Sequence, residues 1–301
     1  MTKANFIIST DSCVDTYKSY LVKNGVHSLT MKWIINGVEY GEHFDSPAEF
    51  DAFYESIKKG ALPTTVALNP EELQSHFETM LKNNPEGDII HIPLSSGLSV
   101  TCDSAFKAAE VVNRNLKDRK VYVVDSLIAT HGMGWLVDEL IDMRNKGVST
   151  QDAIKRTENL RDHMHLWVAV NDLFHLKRGG RVSGAKAAIG TMLNLKPIII
   201  VNSKGKLAIE SKAKGMTMAI EYLLKKMHQY GEKANPNFAK GTVYIARTTE
   251  DKSYEQLKSA ITKKYPAMTI KEGRVGPVIG SHLGSGAILV FFEGAPRLTI
   301  N

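Results

Sequence analysis

The sequence predicts an α/β protein of two lobes, an N-terminal α/β lobe on a parallel sheet and a C-terminal α+β lobe with a mixed or antiparallel sheet. Three observations predict it. In the first half, short apolar runs alternate with stretches of helical periodicity, the pattern of βαβ units. In the second half, two apolar runs flank the turn signal Asn202-Ser203-Lys204-Gly205, which reads as a hairpin. The length of 301 residues suggests two domains at roughly 150 residues each. The division is placed between a helix ending near Arg161 and a strand at Leu166, giving lobes 1–163 and 164–301.

The elements follow in order. Phe6 to Ser9, Asp88 to Leu94 and Lys120 to Ser126 read as strands. Pro47 to Lys59 and Pro70 to Asn83 read as helices, with proline at the first helical position. Ser99 to Leu116 is the clearest helix: Cys102, Ala105, Phe106, Ala109, Val112 and Leu116 recur at helical spacing. Beyond residue 163, Leu166 to Val170 reads as a strand followed by a glycine-rich loop. Pro197 to Val201 and Lys206 to Glu210 form the hairpin. Thr217 to Tyr230 and Tyr254 to Lys264 are helical, and Gly241 to Ala246, Met268 to Lys271 and Ala287 to Phe292 are strands.

Composition narrows the function. Hydrophobic residues make up 43% and charged residues 23%, the balance of a folded globular chain. No apolar run approaches the ~20 residues of a membrane span. Met1 to Asn5 lacks a signal peptide's apolar stretch, so a cytoplasmic, reduced protein is expected. Two cysteines, Cys13 and Cys102, make neither a disulfide framework nor a four-thiolate zinc site. Lys plus Arg is 38 against 32 Asp plus Glu, a net charge of +6. That suits an anionic ligand or an acidic partner. Without a long basic block interleaved with aromatics it gives no case for nucleic acid.

Four segments carry candidate chemistry. Ser95-Ser96-Gly97-Leu98-Ser99 lies between a strand and a helix, where an open α/β sheet binds ligands and helix-start N–H groups favour anions. The structural alternative is a connecting loop in which Ser99 caps the helix. Pro63-Thr64-Thr65-Val66 is a second hydroxyl loop, with turn and capping chemistry as its alternative. Leu176-Lys177-Arg178-Gly179-Gly180-Arg181-Val182-Ser183-Gly184 is neither a Walker loop nor a dinucleotide fingerprint. It reads as a docking or anion-binding turn or as a solvated loop. Val278 to Ala287 places His282 in a glycine-dense turn, where the imidazole can donate to a carboxylate or phosphate. His163-x-His165 lacks supporting ligands, so no metal is expected. No Gly-x-Ser-x-Gly elbow is present.

In this order the segments resemble the DegV family of bacterial lipid-binding proteins. Thr10-Asp11-Ser12, Pro63-Thr64-Thr65, Ser95 to Ser99 and Val124-Asp125-Ser126 with Gly132 and Gly134 match in the first lobe. Leu176 to Ser183, Leu193-Asn194-Leu195-Lys196-Pro197-Ile198 and Ile279 to Ala287 match in the second. The Gly-Gly-Arg loop followed by Leu-Asn-Leu-Lys-Pro is the most specific part. The resemblance implies two α/β lobes enclosing one long-chain fatty acid between them, its chain in an apolar tunnel. It also implies a partner fatty-acid kinase that phosphorylates the bound lipid to an acyl-phosphate. The chain itself would then have no catalytic residue, metal or cofactor. By motif position, Thr65, Ser95, Ser96 and His282 would hold the carboxylate, while Arg178, Gly180 and Arg181 form the turn for partner docking. Transient membrane contact for lipid exchange is a further expectation. Val66, Ala67, Val100, Cys102, Lys214 and Arg247 depart from the family pattern. The competing reading is a serine hydrolase or transferase using Ser95 or Ser96 with His282 as base.

Overall fold

The computed structural model describes residues 6–41, 44–183 and 194–297. Gly184, Leu193 and the first five residues, used above, lie outside the described residues. The chain opens with β1 (Phe6–Asp11), α1 (Lys18–Lys23) and β2 (Val26–Leu29). A hairpin of β3 (Lys32–Ile35) and β4 (Val38–Tyr40) follows, then α2 (Pro47–Lys58) and β5 (Thr64–Val66). Next come α3 (Pro70–Asn83), β6 (Asp88–Ile92), α4 (Thr101–Asn113), β7 (Val121–Val123), α5 (His131–Asn145) and α6 (Thr150–His163). The sheet β2-β1-β6-β7 is parallel throughout. A separate antiparallel sheet, β4-β3-β5, carries an aromatic cluster of Trp33, Phe44, Phe50, Phe53 and Tyr54.

Local chemistry explains where the helices start. Ser46 and Glu49 form a capping box before α2, and Asn69 and Glu72 form another before α3. Each satisfies amide donors that the first turn leaves free. The predicted Ser99-to-Leu116 helix is shorter, and Phe106 turns to solvent. Its periodicity is shared by the buried alanines on the neighbouring face, so pattern alone could not orient it.

Residue 164 opens the second sheet. It is built from β8 (Met164–Ala169), β9 (Val182–Ser183), β10 (Leu195–Val201), β11 (Leu207–Lys214), β12 (Thr242–Arg247), β13 (Thr269–Arg274) and β14 (Ile288–Glu293). The order is β13-β12-β14-β8-β10-β11-β9. Pairings are antiparallel except β12 with β13 and β11 with β9. The helices of this lobe are α7 (Phe174–Gly179), α8 (Gly215–Lys226), α9 (Lys252–Lys264) and α10 (Pro277–Leu283). The first and last replace two segments read as loops. Gly180 ends α7 at φ +69°, a left-handed cap that glycine adopts without steric cost.

Strand alternation decides what this sheet covers. Trp167, Ala169, Ile198, Ile200, Val243, Ile245 and Val290 face a core with α8 and α9. Leu166, Val168, Ile199, Val201, Ala246 and Leu289 face the opposite way and join the core of the N-terminal lobe. One hydrophobic core therefore spans both lobes. Among the described residues, no helix is long and apolar enough to cross a membrane.

Candidate functional site

The parallel sheet has its switch point between β1 and β6, because β2 extends it on one side and β6 and β7 on the other. Ligand sites in such sheets lie at the carboxyl ends of the strands flanking that point. Here the two ends are tied by Asp11, whose carboxylate accepts from Cys13 N (2.9 Å) and Leu94 N (2.7 Å). Burial pushes its pKa up to about 6 despite those bonds. The start of the loop that follows β6 is thereby fixed to the end of β1.

An apolar cavity of about 70 Å³ lies where the lobes meet. Met31, Leu94, Leu98 and Ala129 wall it from the first lobe. Leu166, Val168, Leu176, Val201, Leu207, Val278, Ile279, Leu283 and Leu289 wall it from the second. Its polar lining residues are Thr65, Ser99, Thr130, Arg181 and His282.

Thr65 on β5 and His282 on α10 meet across the lobes, with Oγ1 and Nε2 3.0 Å apart. His282 is held to a pKa of about 4, first by burial and then by repulsion from Arg181, Arg178 and His175. It is neutral at pH 7. Its Nδ1 is buried without a partner, and a Cβ on Gly179 would lie 2.2 Å from that atom. Gly179 is thus the residue that lets α7 approach the imidazole.

The other predicted residues separate. Ser95 is fully buried and lies outside the cavity wall: its hydroxyl donates to Gly205 O (2.9 Å) and accepts from Gly97 N (3.1 Å). Ser96 is exposed, with its amide on Asp125 Oδ1 (3.1 Å). The strand-to-helix turn sends consecutive side chains apart, so both serines cannot reach one ligand. Arg178 donates to the carbonyls of Pro63 and Ser281, bridging the β5 approach and α10. Arg181 spans the cavity mouth from Leu98 O to Gly179 O. Gly180 faces open space.

Sequence reading missed Thr130, and it placed Ser99 in the hydroxyl loop with helix capping as the alternative. The hydroxyl of Ser99 does accept from Thr101 N (3.1 Å), yet the residue also lines the cavity. Thr130 sits at φ +52°, rare for a β-branched residue and costly unless its surroundings enforce it. No residue pattern signals that backbone. His165 stacks between Tyr230 and Phe292 and shares a bond with Ala295 O. Among the described residues, no group of three or more His, Cys, Asp or Glu is placed to hold a metal ion. The Ser95 hydroxyl is bonded to Gly205 O and the His282 ring to Thr65, so these two residues are not paired with each other.

Fold and cavity together define a two-lobed α/β protein with a buried apolar chamber and a short polar array at one set of loops. The chain belongs to the DegV family: the family model described as "Uncharacterised protein, DegV family" matches residues 5–294. A DegV domain-containing protein of Clostridium perfringens is 33% identical over 289 residues, covering 96% of this chain and 97% of the relative. The structure of DegV from Bacillus subtilis, described as a fatty acid binding protein, superimposes with a TM-score of 0.81 at 26% identity, covering 97% and 99% of the two chains. A DegV family protein from Thermus thermophilus, described for its fatty acid binding, gives 0.82 at 25% identity, covering 96% and 99%.

Proposed function

We propose that this protein binds one long-chain fatty acid, with the acyl chain in the interlobe cavity and the carboxylate at Thr65 and His282. The observation that carries the reading is the cavity itself: apolar over most of its wall, with Thr65, His282, Ser99 and Arg181 as polar lining. The descriptions of the Bacillus and Thermus relatives support the same ligand class.

The energetics are adequate. Each buried CH₂ contributes ~0.8 kcal/mol, so about fourteen of them give an upper bound near ~11 kcal/mol. Lost freedom removes several kcal/mol, which leaves micromolar or tighter binding. An unpaired carboxylate would erase that gain. With His282 Nε2–H donating to Thr65 Oγ1, the Thr65 proton is free for a carboxylate oxygen, and a charge-assisted bond is the stronger kind. Arg181 adds a cation at the mouth.

The protein on this reading is a cytoplasmic carrier, divided at 163/164, without metal or cofactor. It presents the lipid to a fatty-acid kinase that makes the acyl-phosphate. Native mass spectrometry of the purified protein, followed by lipid extraction, tests the core of the proposal. A stoichiometric fatty acid is the expected result. Protein that arrives empty and takes up no added fatty acid overturns it.

A further inference from the structure

We propose that Ser95 is a cross-lobe bolt on a flap, and that ligand exchange proceeds by lifting that flap. The inference rests on the fatty-acid reading and concerns its regulation. The flap is the distal end of the β10–β11 hairpin. β10 pairs with β8 only through Ile198 to Ile200, and β11 is held on its outer side from Leu207, which pairs with Val182 of β9, so the tip between Val201 and Leu207 projects beyond both pairings. Val201 and Leu207 both line the cavity. The turn between them is stiff: Asn202 Oδ1 accepts from Lys204 N and Lys206 N (3.0 Å each), and Gly205 N donates to Asn202 O (3.0 Å). It moves as a unit.

This turn closes on the loop that follows Leu94. A Cβ on Gly97 would lie 2.5 Å from the Gly205 carbonyl, and one on Gly205 would lie 2.1 Å from Ser95 Oγ. Gly205 also sits at φ +69°, which a side chain rarely adopts. Two glycines facing each other leave backbone on backbone, and the Ser95 hydroxyl supplies the bond across the gap. A hydroxyl has one proton to donate. In Ser95 it is on Gly205 O, while Gly97 N–H uses the acceptor side. Ser95 is therefore a positioning residue acting through the hairpin. When the bond breaks, the tip separates from Leu94 and Leu98 and opens the chamber along its length.

The test uses the full chain and its Ser95→Ala variant, with stopped-flow exchange of a fluorescent hexadecanoic acid and of the alcohol with the same labelled chain. Loss of one hydrogen bond of ordinary strength predicts roughly fivefold faster entry and exit. Both ligands should accelerate alike, because the flap does not sense the head group. Amide hydrogen exchange at Gly97 and Gly205 should rise in the variant. If only the acid is affected, Ser95 is a carboxylate ligand and the bolt is overturned. Unchanged rates for both ligands overturn it equally. Wild-type protein that binds neither ligand instead refutes the fatty-acid reading on which the proposal rests.

Discussion

His282 Nε2 and Thr65 Oγ1 lie 3.0 Å apart although 217 residues separate them. The bond joins the three-stranded sheet to α10 and sets the polar corner of an otherwise apolar chamber.

Replacing Thr65 by valine keeps the shape and removes the hydroxyl. A hydrogen bond to a charged group contributes about 1.5–3 kcal/mol. Fatty acid affinity is expected to fall about tenfold or more, while the matching fatty alcohol loses less. Displacement titration with both ligands checks this, and equal losses would show that Thr65 acts by packing alone.

Gly179→Ala places a methyl 2.2 Å from His282 Nδ1. The ring must shift, and its bond to Thr65 with it. Weaker acid binding is expected, together with a lower melting temperature from the overpacking around the ring. A histidine side-chain NMR signal identical to wild type would refute the steric account.

Acid should destabilise the fold. Burial lowers His76, His131, His165 and His282 to about 4 and His91 to about 3. The unfolded chain takes up protons near 6.5 while the folded chain does not. Stability from these groups is full above about 6.5 and is lost as pH falls toward 4. Asp11, raised to about 6, and Asp15, also raised by burial, act in the opposite sense. Five histidines against two carboxyls predict a melting temperature that drops between pH 6.5 and 4. A flat profile would show that the imidazoles are not the controlling groups.

Val168→Phe adds volume inside the chamber, where Val168 pairs with Leu289 on the adjacent strand. The fold should lose about 1–3 kcal/mol, the usual cost of added volume at a buried position. Affinity for long chains should fall more than affinity for short ones. A chain-length series by calorimetry reads the difference.

Much of this molecule is set by local sequence. Pro70 to Asn83 is a helix because proline, a capping box and a hydrophobic stripe agree. The hairpin follows from Asn202 to Gly205, and the parallel first lobe from strands alternating with helices. Thr65 and His282 were legible as polar groups in small-residue segments. What the sequence left undecided depends on orientation across long separations. Two adjacent serines look equivalent in a string, yet a tight turn buries Ser95 against Gly205 and exposes Ser96. Arg178 reads as a free cation until the fold brings it the carbonyls of Pro63 and Ser281. The chamber is the clearest case. Strand alternation dictates that Leu166, Val168 and Leu289 share a face, but only docking of the two lobes decides whether that face is filled or left partly empty, because a void is a property of packing between elements.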